Sequence, residues 1–188
     1  YAMGHDTNGG LQRQGRELIR CMDQLGMILD VTHLSEQCFW EALDLFDGPL
    51  WASHQNCRTI VDDPRQHNDD QIKALVDRGS VLGAAFDVWM VVPGFVRGQS
   101  HPSAMNITME NIANHIDHVC QLAGNAKHCG IGSDLDGGYG NEQCPRDVDT
   151  ISDLQNLEGV LSRRGYCEAD IAGIFHGNFL RVLREAWR

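Results

Sequence analysis

Four short apolar runs alternate with amphipathic segments, and this alternation constrains the fold more than any other feature of the chain. The runs cover residues 27–31, 50–53, 80–86 and 129–133. Helices are predicted over residues 10–25, 36–46, 70–78, 109–124, 150–163 and 168–187. Because the apolar runs do not alternate strictly with polar residues, we expect parallel strands that are covered on both faces. The sequence therefore predicts an α/β fold.

Two parallel α/β architectures fit this order of elements. Four βα units are half of a (β/α)8 TIM barrel, which takes about 250 residues in total. A doubly wound sheet of four or five strands would be complete within 188 residues. The order of elements leaves both open, and in both of them functional residues gather at the carboxyl ends of the strands.

Side chains able to bind a metal follow the predicted strands. His33 ends the first run, His54 the second and Asp134 the fourth, while the third run ends at Asp87. Adjacent parallel strands lie about 4.8 Å apart, so we expect His33 and His54 to be neighbours that reach one metal ion. Histidine and carboxylate ligands suit zinc, which makes bound water acidic enough for hydrolysis at neutral pH.

Other polar residues have simpler explanations. A single histidine after a strand is usually a loop residue. His115 and His118 lie on a predicted helix, and we expect them either on its surface or behind a site, in contact with the residues that form the site. Arg58 and Arg65 follow His54 and could bind a carboxylate, or pair with the loop aspartates at 62 and 63. The glycine-rich segment 130–137 opens no helix and carries two aspartates, which argues against a phosphate loop. Its spacing also departs from a calcium-binding loop.

Composition excludes several classes of function. The chain has 15 Lys and Arg against 26 Asp and Glu, a net charge of −11, so we expect no nucleic-acid partner. No apolar run is long enough to span a membrane, and the polar start YAMGHDTNGG is unlike a signal peptide. Seven scattered cysteines without a C-x-x-C pair favour a reducing, cytoplasmic location.

Five segments of the chain, in order, resemble the renal-type (membrane) dipeptidase family. They are DVTHLSE, ASHQNCR, DDPRQHNDDQI, GIGSDLDG and GNFLRV. The resemblance implies a (β/α)8 barrel that hydrolyses dipeptides with free termini by a metal-bound hydroxide held between two zinc ions. It implies that His33 and His54 bind the second zinc, that Asp134 contacts the catalytic water and the substrate amine, and that Arg65 receives the substrate carboxylate.

The family pattern is incomplete in this chain. The family's H-x-D pair, bridging glutamate and a further substrate-binding histidine belong to the first half of its barrel, and His5 and Asp6 are adjacent rather than spaced as H-x-D. We therefore expect residues 1–188 to be the C-terminal half, strands five to eight, with the N-terminal half as its missing partner. A homodimer is a further assembly that the resemblance leaves open.

Two other functions stay open on these residues. Lactonases and phosphotriesterases of the amidohydrolase superfamily also use histidines after strands together with an aspartate, but they need no arginine for a free carboxylate. A catalytically incomplete metal-binding domain is the second alternative, because several expected ligands are missing.

Overall fold

The computed structural model describes residues 1–187, and Arg188 lies outside the described residues. The helices are α1 (Arg13–Gln24), α2 (Glu36–Leu45), α3 (Asp69–Asp77), α4 (Met109–Ala123), α5 (Leu157–Arg163), α6 (Glu168–Ala172) and α7 (Asn178–Ala186). The strands are β1 (Leu29–Asp30), β2 (Leu50–Trp51), β3 (Leu82–Ala84) and β4 (Cys129–Ile131). Each strand is shorter than predicted because only part of each apolar run pairs with a neighbour.

The four strands are parallel and lie side by side in the order of the chain. Leu29 of β1 pairs with Leu50 of β2, and Gly83 of β3 pairs with Gly130 of β4. A bridge between Ala52 and Leu82 joins the two pairs. A doubly wound sheet reverses its strand order at a switch point, whereas a barrel wall keeps neighbouring strands in sequence order. The observed order therefore favours an arc of a barrel over a complete doubly wound sheet.

Glycine allows the middle of this arc to pack closely beside the end of β2. A Cβ atom on Gly83 would lie 2.1 Å from the carbonyl oxygen of Ser53, and one on Gly132 would lie 1.9 Å from the same oxygen. Both distances are far below van der Waals contact, so a larger residue would displace the segment between Ser53 and His54. These glycines therefore help to position the residues that follow β2.

The helices pack their apolar faces against the outside of the arc. Fully buried side chains include Phe39 and Phe46 around α2, Leu75 of α3, and Ile112 and Ile116 of α4. Burying each such side chain stabilises the fold by about 1.5–3 kcal/mol before entropy costs. A side chain caps the start of α2, where Ser35 Oγ accepts a hydrogen bond from the Cys38 amide at 3.1 Å.

The C-terminal segment is not the single helix predicted over residues 168–187. A π-helical turn at Gly173–Gly177 separates α6 from α7. Directly after it, Asn178 donates hydrogen bonds to the carbonyl oxygens of Ala126 at 2.8 Å and Cys129 at 2.7 Å. The π-helical turn changes the register of the helix, and the buried side-chain amide of Asn178 then holds α7 against β4. Similarly, the segment predicted over 150–163 begins with a 3-10 helix, Ile151–Asn156, before α5.

Candidate active site

One carboxylate ties together the ends of β1 and β2. Asp30 Oδ1 accepts hydrogen bonds from the Thr32 amide at 3.0 Å and from the Ser53 amide at 3.1 Å. The next residues along the two segments are His33 and His54, and their Nε2 atoms lie 2.9 Å apart. The side chain of Asp30 therefore aligns the two backbones from which this histidine pair extends.

Backbone strain marks two of the residues singled out from the sequence. His33 has a φ of +68° and Asp134 a φ of +59°, in the left-handed region that non-glycine residues seldom adopt. Such conformations persist where the surrounding structure enforces them, often at functional sites. Gly137 gives Asp134 room, because a Cβ at that position would lie 2.6 Å from Asp134 Oδ1.

The second ring nitrogen of each histidine also has a neighbour. His54 Nδ1 lies 2.8 Å from Ser53 Oγ, and His33 Nδ1 lies 3.3 Å from His5 Nδ1. The segment that carries His5 is fixed to the end of β1, because the His5 amide donates to the His33 carbonyl oxygen at 2.8 Å. Sequence reasoning missed His5 as a neighbour of His33, because the two residues are 28 positions apart and no spacing pattern links them.

Burial lowers the pKa of both histidines, which favours their neutral forms. Partial burial, followed by the positive charge of Arg65, lowers the pKa of His33 to about 4. Burial also lowers the pKa of His54, although the nearby Asp134 carboxylate acts in the opposite direction. Neutral imidazole is the form that binds a metal ion.

Arg65 is a buried side chain, 3% exposed, rather than a loop arginine paired with Asp62 or Asp63. Its guanidinium donates to Gln55 Oε1 at 2.7 Å and to the His54 carbonyl oxygen at 2.9 Å. Burial lowers its pKa to about 10, so the group is still cationic at pH 7. Arg58, the other arginine of this loop, forms an ion pair with Glu36 at 2.9 Å.

A cavity of about 380 Å³ brings these groups together. His33, His54, Arg65 and Asp134 all line it, and so does His5. The four side chains proposed from the sequence thus share one cavity, while their individual roles stay predictions. Three further residues of its wall, Asp87, Trp89 and Arg97, come from the end of β3 and the loop after it. Of these, sequence reasoning had noted only the position of Asp87 after a strand.

The histidine pair fits a zinc ion in part. Two imidazole nitrogens on one tetrahedral zinc would be about 3.3 Å apart, given Zn–N distances of about 2.05 Å. The observed 2.9 Å between the Nε2 atoms needs only a small opening to reach that geometry. Across residues 1–187, however, no group of three or more His, Cys, Asp or Glu side chains is arranged to hold a metal ion. The described residues therefore present two imidazole nitrogens at a spacing near that of ligands on one zinc ion, without a third donor beside them.

His115 and His118 lie away from this centre. Of the two expectations for His115, a helix-surface position or a position behind a site, burial excludes the first. Its Nδ1 accepts from the Cys57 amide at 3.1 Å, and its Nε2 lies 3.0 Å from the Val91 carbonyl oxygen. His118 Nε2 lies 2.8 Å from Asp69 Oδ1 and links α4 to α3. Both histidines connect structural elements.

Comparison with known proteins gives one consistent result. The family model described as membrane dipeptidase (peptidase family M19) matches residues 2–188. An uncharacterized dipeptidase of Schizosaccharomyces pombe is 31% identical over 95% of this chain and 41% of its own length.

Two solved structures have the same fold over the whole chain. The metallopeptidase dipeptidase AC of family M19 superposes with a TM-score of 0.85 and 26% identity, covering 52% of that chain. A metallopeptidase from Rhodobacter sphaeroides, liganded with a phosphinate mimic of the dipeptide L-Ala-D-Ala, gives a TM-score of 0.84 and 26% identity, covering 50% of that chain. The present chain thus spans about half the length of these relatives.

Proposed function

Because this chain belongs to the membrane dipeptidase family (peptidase family M19), we propose that it is the C-terminal half of a zinc dipeptidase. The observation that carries the proposal is the convergence of the His33 and His54 Nε2 atoms, 2.9 Å apart, in a cavity that also contains Arg65 and Asp134. A metal site, a fixed cation and a carboxylate are the groups needed to hold a short peptide by its ends and hydrolyse it.

Each side chain has a distinct role in this proposal. His33 and His54 would hold one of two zinc ions, and zinc bound there would supply the Lewis-acid chemistry for hydrolysis. Arg65 binds the terminal carboxylate of the dipeptide through its planar guanidinium. Asp134 contacts the substrate amine, takes a proton from the attacking water and delivers it to the nitrogen of the broken C–N bond. The products are two free amino acids.

The remaining metal ligands come, in this proposal, from an N-terminal half of the barrel. Two donors do not complete a zinc site, and the matched relatives are about twice as long as this chain. In the described arc, β1 pairs with β2 and β4 pairs with β3, which leaves the outer edges of β1 and β4 for further strands. A barrel closes such edges. Residues 1–188 would then form strands five to eight.

The test compares residues 1–188 with the full-length protein. We expect the full-length protein to bind two zinc ions and to hydrolyse Ala-Ala, and residues 1–188 alone to bind less zinc without hydrolysis. A monodisperse, fully active dipeptidase made of these 188 residues alone would refute the half-barrel proposal. In the full-length protein, faster hydrolysis of lactones than of dipeptides would refute the dipeptidase proposal in favour of a lactonase.

Asp134→Asn provides the matched test of proton transfer. We expect it to lower kcat by about 100-fold or more, because the amide cannot accept the proton of the attacking water. Zinc content should be unchanged, since the two histidines are intact. A normal kcat in this variant would remove Asp134 from the mechanism.

We also propose a cytoplasmic location, on the basis of the thiols. All seven cysteines are free, including Cys120 and Cys129, whose sulfur atoms lie 3.5 Å apart without a bond. Separately, residues 1–187 contain no helix that is long and apolar enough to cross a bilayer. Thiol alkylation of the protein in freshly lysed cells, followed by mass spectrometry, should find Cys120 and Cys129 reduced, and a disulfide between them would contradict this proposal.

A further inference from the structure

One cluster of side chains on the cavity wall has no role in the chemistry proposed above: Asp87, Trp89 and Arg97. Asp87 follows β3, which lies between the strand before His54 and the strand before Asp134. Asp87 Oδ2 accepts hydrogen bonds from Trp89 Nε1 at 2.8 Å and from Arg97 Nη2 at 2.5 Å. The Arg97 guanidinium carbon also lies 4.8 Å from the centre of the Trp89 ring.

The two charges of this cluster differ sharply in accessibility. The Asp87 side chain is 3% exposed, whereas the Arg97 side chain is 57% exposed. Asp87 Oδ1 is fully buried and has no hydrogen-bond partner among the described residues. A ligand in the cavity would therefore meet the guanidinium of Arg97 rather than the carboxylate beneath it. A guanidinium has five N–H donors, and most of those on Arg97 remain available for a ligand.

Arg97 is also held in place before any ligand binds. The salt bridge to Asp87 fixes one end of the guanidinium, and the Trp89 ring lies against one of its faces. Burial raises the pKa of Asp87, while the hydrogen bonds from Arg97 and Trp89 act in the opposite direction. An arginine fixed in this way loses less side-chain entropy when it binds a ligand than a free surface arginine does.

The proposed roles of the other groups define what Arg97 can bind. In the function proposed above, on which this inference rests, Arg65 binds the carboxylate, Asp134 contacts the amine and the histidine pair holds a metal at the peptide bond. The parts of a dipeptide that remain without a binding group are its two side chains. We propose that Arg97, positioned by Asp87 and flanked by Trp89, forms a side-chain subsite that selects dipeptides with an aspartate or glutamate residue.

Charge and shape both favour an acidic side chain. Arginine binds a carboxylate through two parallel hydrogen bonds, which a neutral amide does not reproduce. Trp89 lines the same cavity, so its ring offers an apolar contact to the methylene groups of the same side chain. A lysine side chain would meet the Arg97 charge and be disfavoured.

The test uses zinc-loaded full-length protein and pairs of dipeptides that differ by one charge. The pairs are Glu-Ala with Gln-Ala and Ala-Glu with Ala-Gln, with Ala-Ala as reference. For at least one pair, we expect kcat/KM to be about tenfold higher or more for the acidic member, mainly through KM. Arg97→Gln should bring this ratio close to one. Two further variants should lower the acid-to-amide ratio only in part. Arg97→Lys keeps a positive charge but loses the planar group that binds a carboxylate at two points. Asp87→Asn removes the carboxylate that fixes the position of Arg97.

A matched variant and a binding measurement separate the possible failures. Arg13→Gln removes an exposed arginine from α1, and its acid-to-amide ratio should equal that of the wild type. Calorimetry on the same dipeptides with the Asp134→Asn variant, in which hydrolysis is expected to be slow, should give the same ratio in Kd. Equal values for both members of each pair, in hydrolysis and in binding, would overturn the acidic subsite and leave the dipeptidase proposal intact. Acid-selective binding without hydrolysis of any dipeptide would support the subsite and overturn the dipeptidase proposal.

Discussion

His33 Nε2 and His54 Nε2 lie 2.9 Å apart, although the two residues are separated by 21 positions and a complete helix. The parallel pairing of β1 with β2 and the shared carboxylate of Asp30 produce this proximity. In neutral imidazoles this distance fits an N–H···N hydrogen bond, and the same two nitrogens can instead direct their lone pairs at one cation when both rings carry the proton on Nδ1. We therefore take this contact as the basis for predictions about metal binding.

Replacing His33 with alanine should remove zinc and activity together. Mutating a residue that only hydrogen-bonds to a metal ligand typically weakens metal binding by roughly 10- to 100-fold. The loss of His33 itself, a direct ligand in this proposal, should weaken zinc binding by more than that. Metal analysis by mass spectrometry after dialysis, combined with hydrolysis of Ala-Ala, measures both quantities. His101→Ala removes an exposed histidine and should keep the zinc content of the wild type. Equal zinc in the two variants would exclude His33 as a ligand.

Replacing His5 should weaken zinc binding more moderately. A His33 ring that binds zinc through Nε2 carries its proton on Nδ1, which faces His5 Nδ1 at 3.3 Å. Without that acceptor the ring is less well oriented, and we expect zinc affinity to fall by roughly 10- to 100-fold in His5→Ala. His5→Asn should recover much of the affinity, since its amide oxygen replaces Nδ1. A calorimetric zinc titration measures the affinity of each variant. Unchanged zinc affinity in His5→Ala would show that the contact between His5 and His33 does not support metal binding.

The sequence predicted the order of the elements and the place where the candidate residues gather. Short apolar runs separated by amphipathic helices are a local signal, and parallel strands necessarily bring their carboxyl ends to one edge. For this reason His33, His54 and Asp134 could be proposed as neighbours from their positions alone. The family resemblance itself is confirmed by the match of the family model to residues 2–188.

The missed features depend on contacts between distant parts of the chain. His5 reaches His33 because the segment around Gly4 bridges to Leu34, and no periodicity encodes such a contact. Arg97 lies ten residues beyond Asp87 in an irregular loop, so its pairing could not be read from spacing. Likewise, the π-helical turn before Asn178 follows from the hydrogen bonds that this amide makes to the segment around β4.

Replacing Arg65 should weaken substrate binding and leave zinc in place. Losing hydrogen bonds to a charged carboxylate should raise KM by roughly 10- to 100-fold. Arg65→Lys is the more informative variant, because it keeps the buried charge near Gln55 but cannot bind a carboxylate at two points. Steady-state kinetics with parallel metal analysis measures both effects. Loss of zinc in Arg65→Lys would indicate that Arg65 supports His54, whose carbonyl oxygen it contacts at 2.9 Å, rather than the substrate.

Acid should destabilise the fold through His115, which is outside the metal site. Burial lowers the pKa of His115 to about 4, against about 6.5 in an unfolded chain. The unfolded state therefore binds a proton that the folded state does not, so this contribution to stability is present above pH 6.5 and is lost as the pH falls from 6.5 to about 4. The full effect is on the order of 3 kcal/mol. Protonation would also place an N–H on Nδ1 against the Cys57 amide that donates to it.

Urea unfolding at pH 7, 5.5 and 4.5 measures this dependence on pH. We expect His115→Gln to be less stable than the wild type at pH 7, because one amide cannot make both hydrogen bonds of the ring. Its free energy of unfolding should then fall less between pH 7 and pH 4.5 than that of the wild type. His101→Gln, which removes the exposed histidine used above, should keep the wild-type dependence. If the His115→Gln curve ran parallel to the wild-type curve, His115 would not be the group that responds to acid.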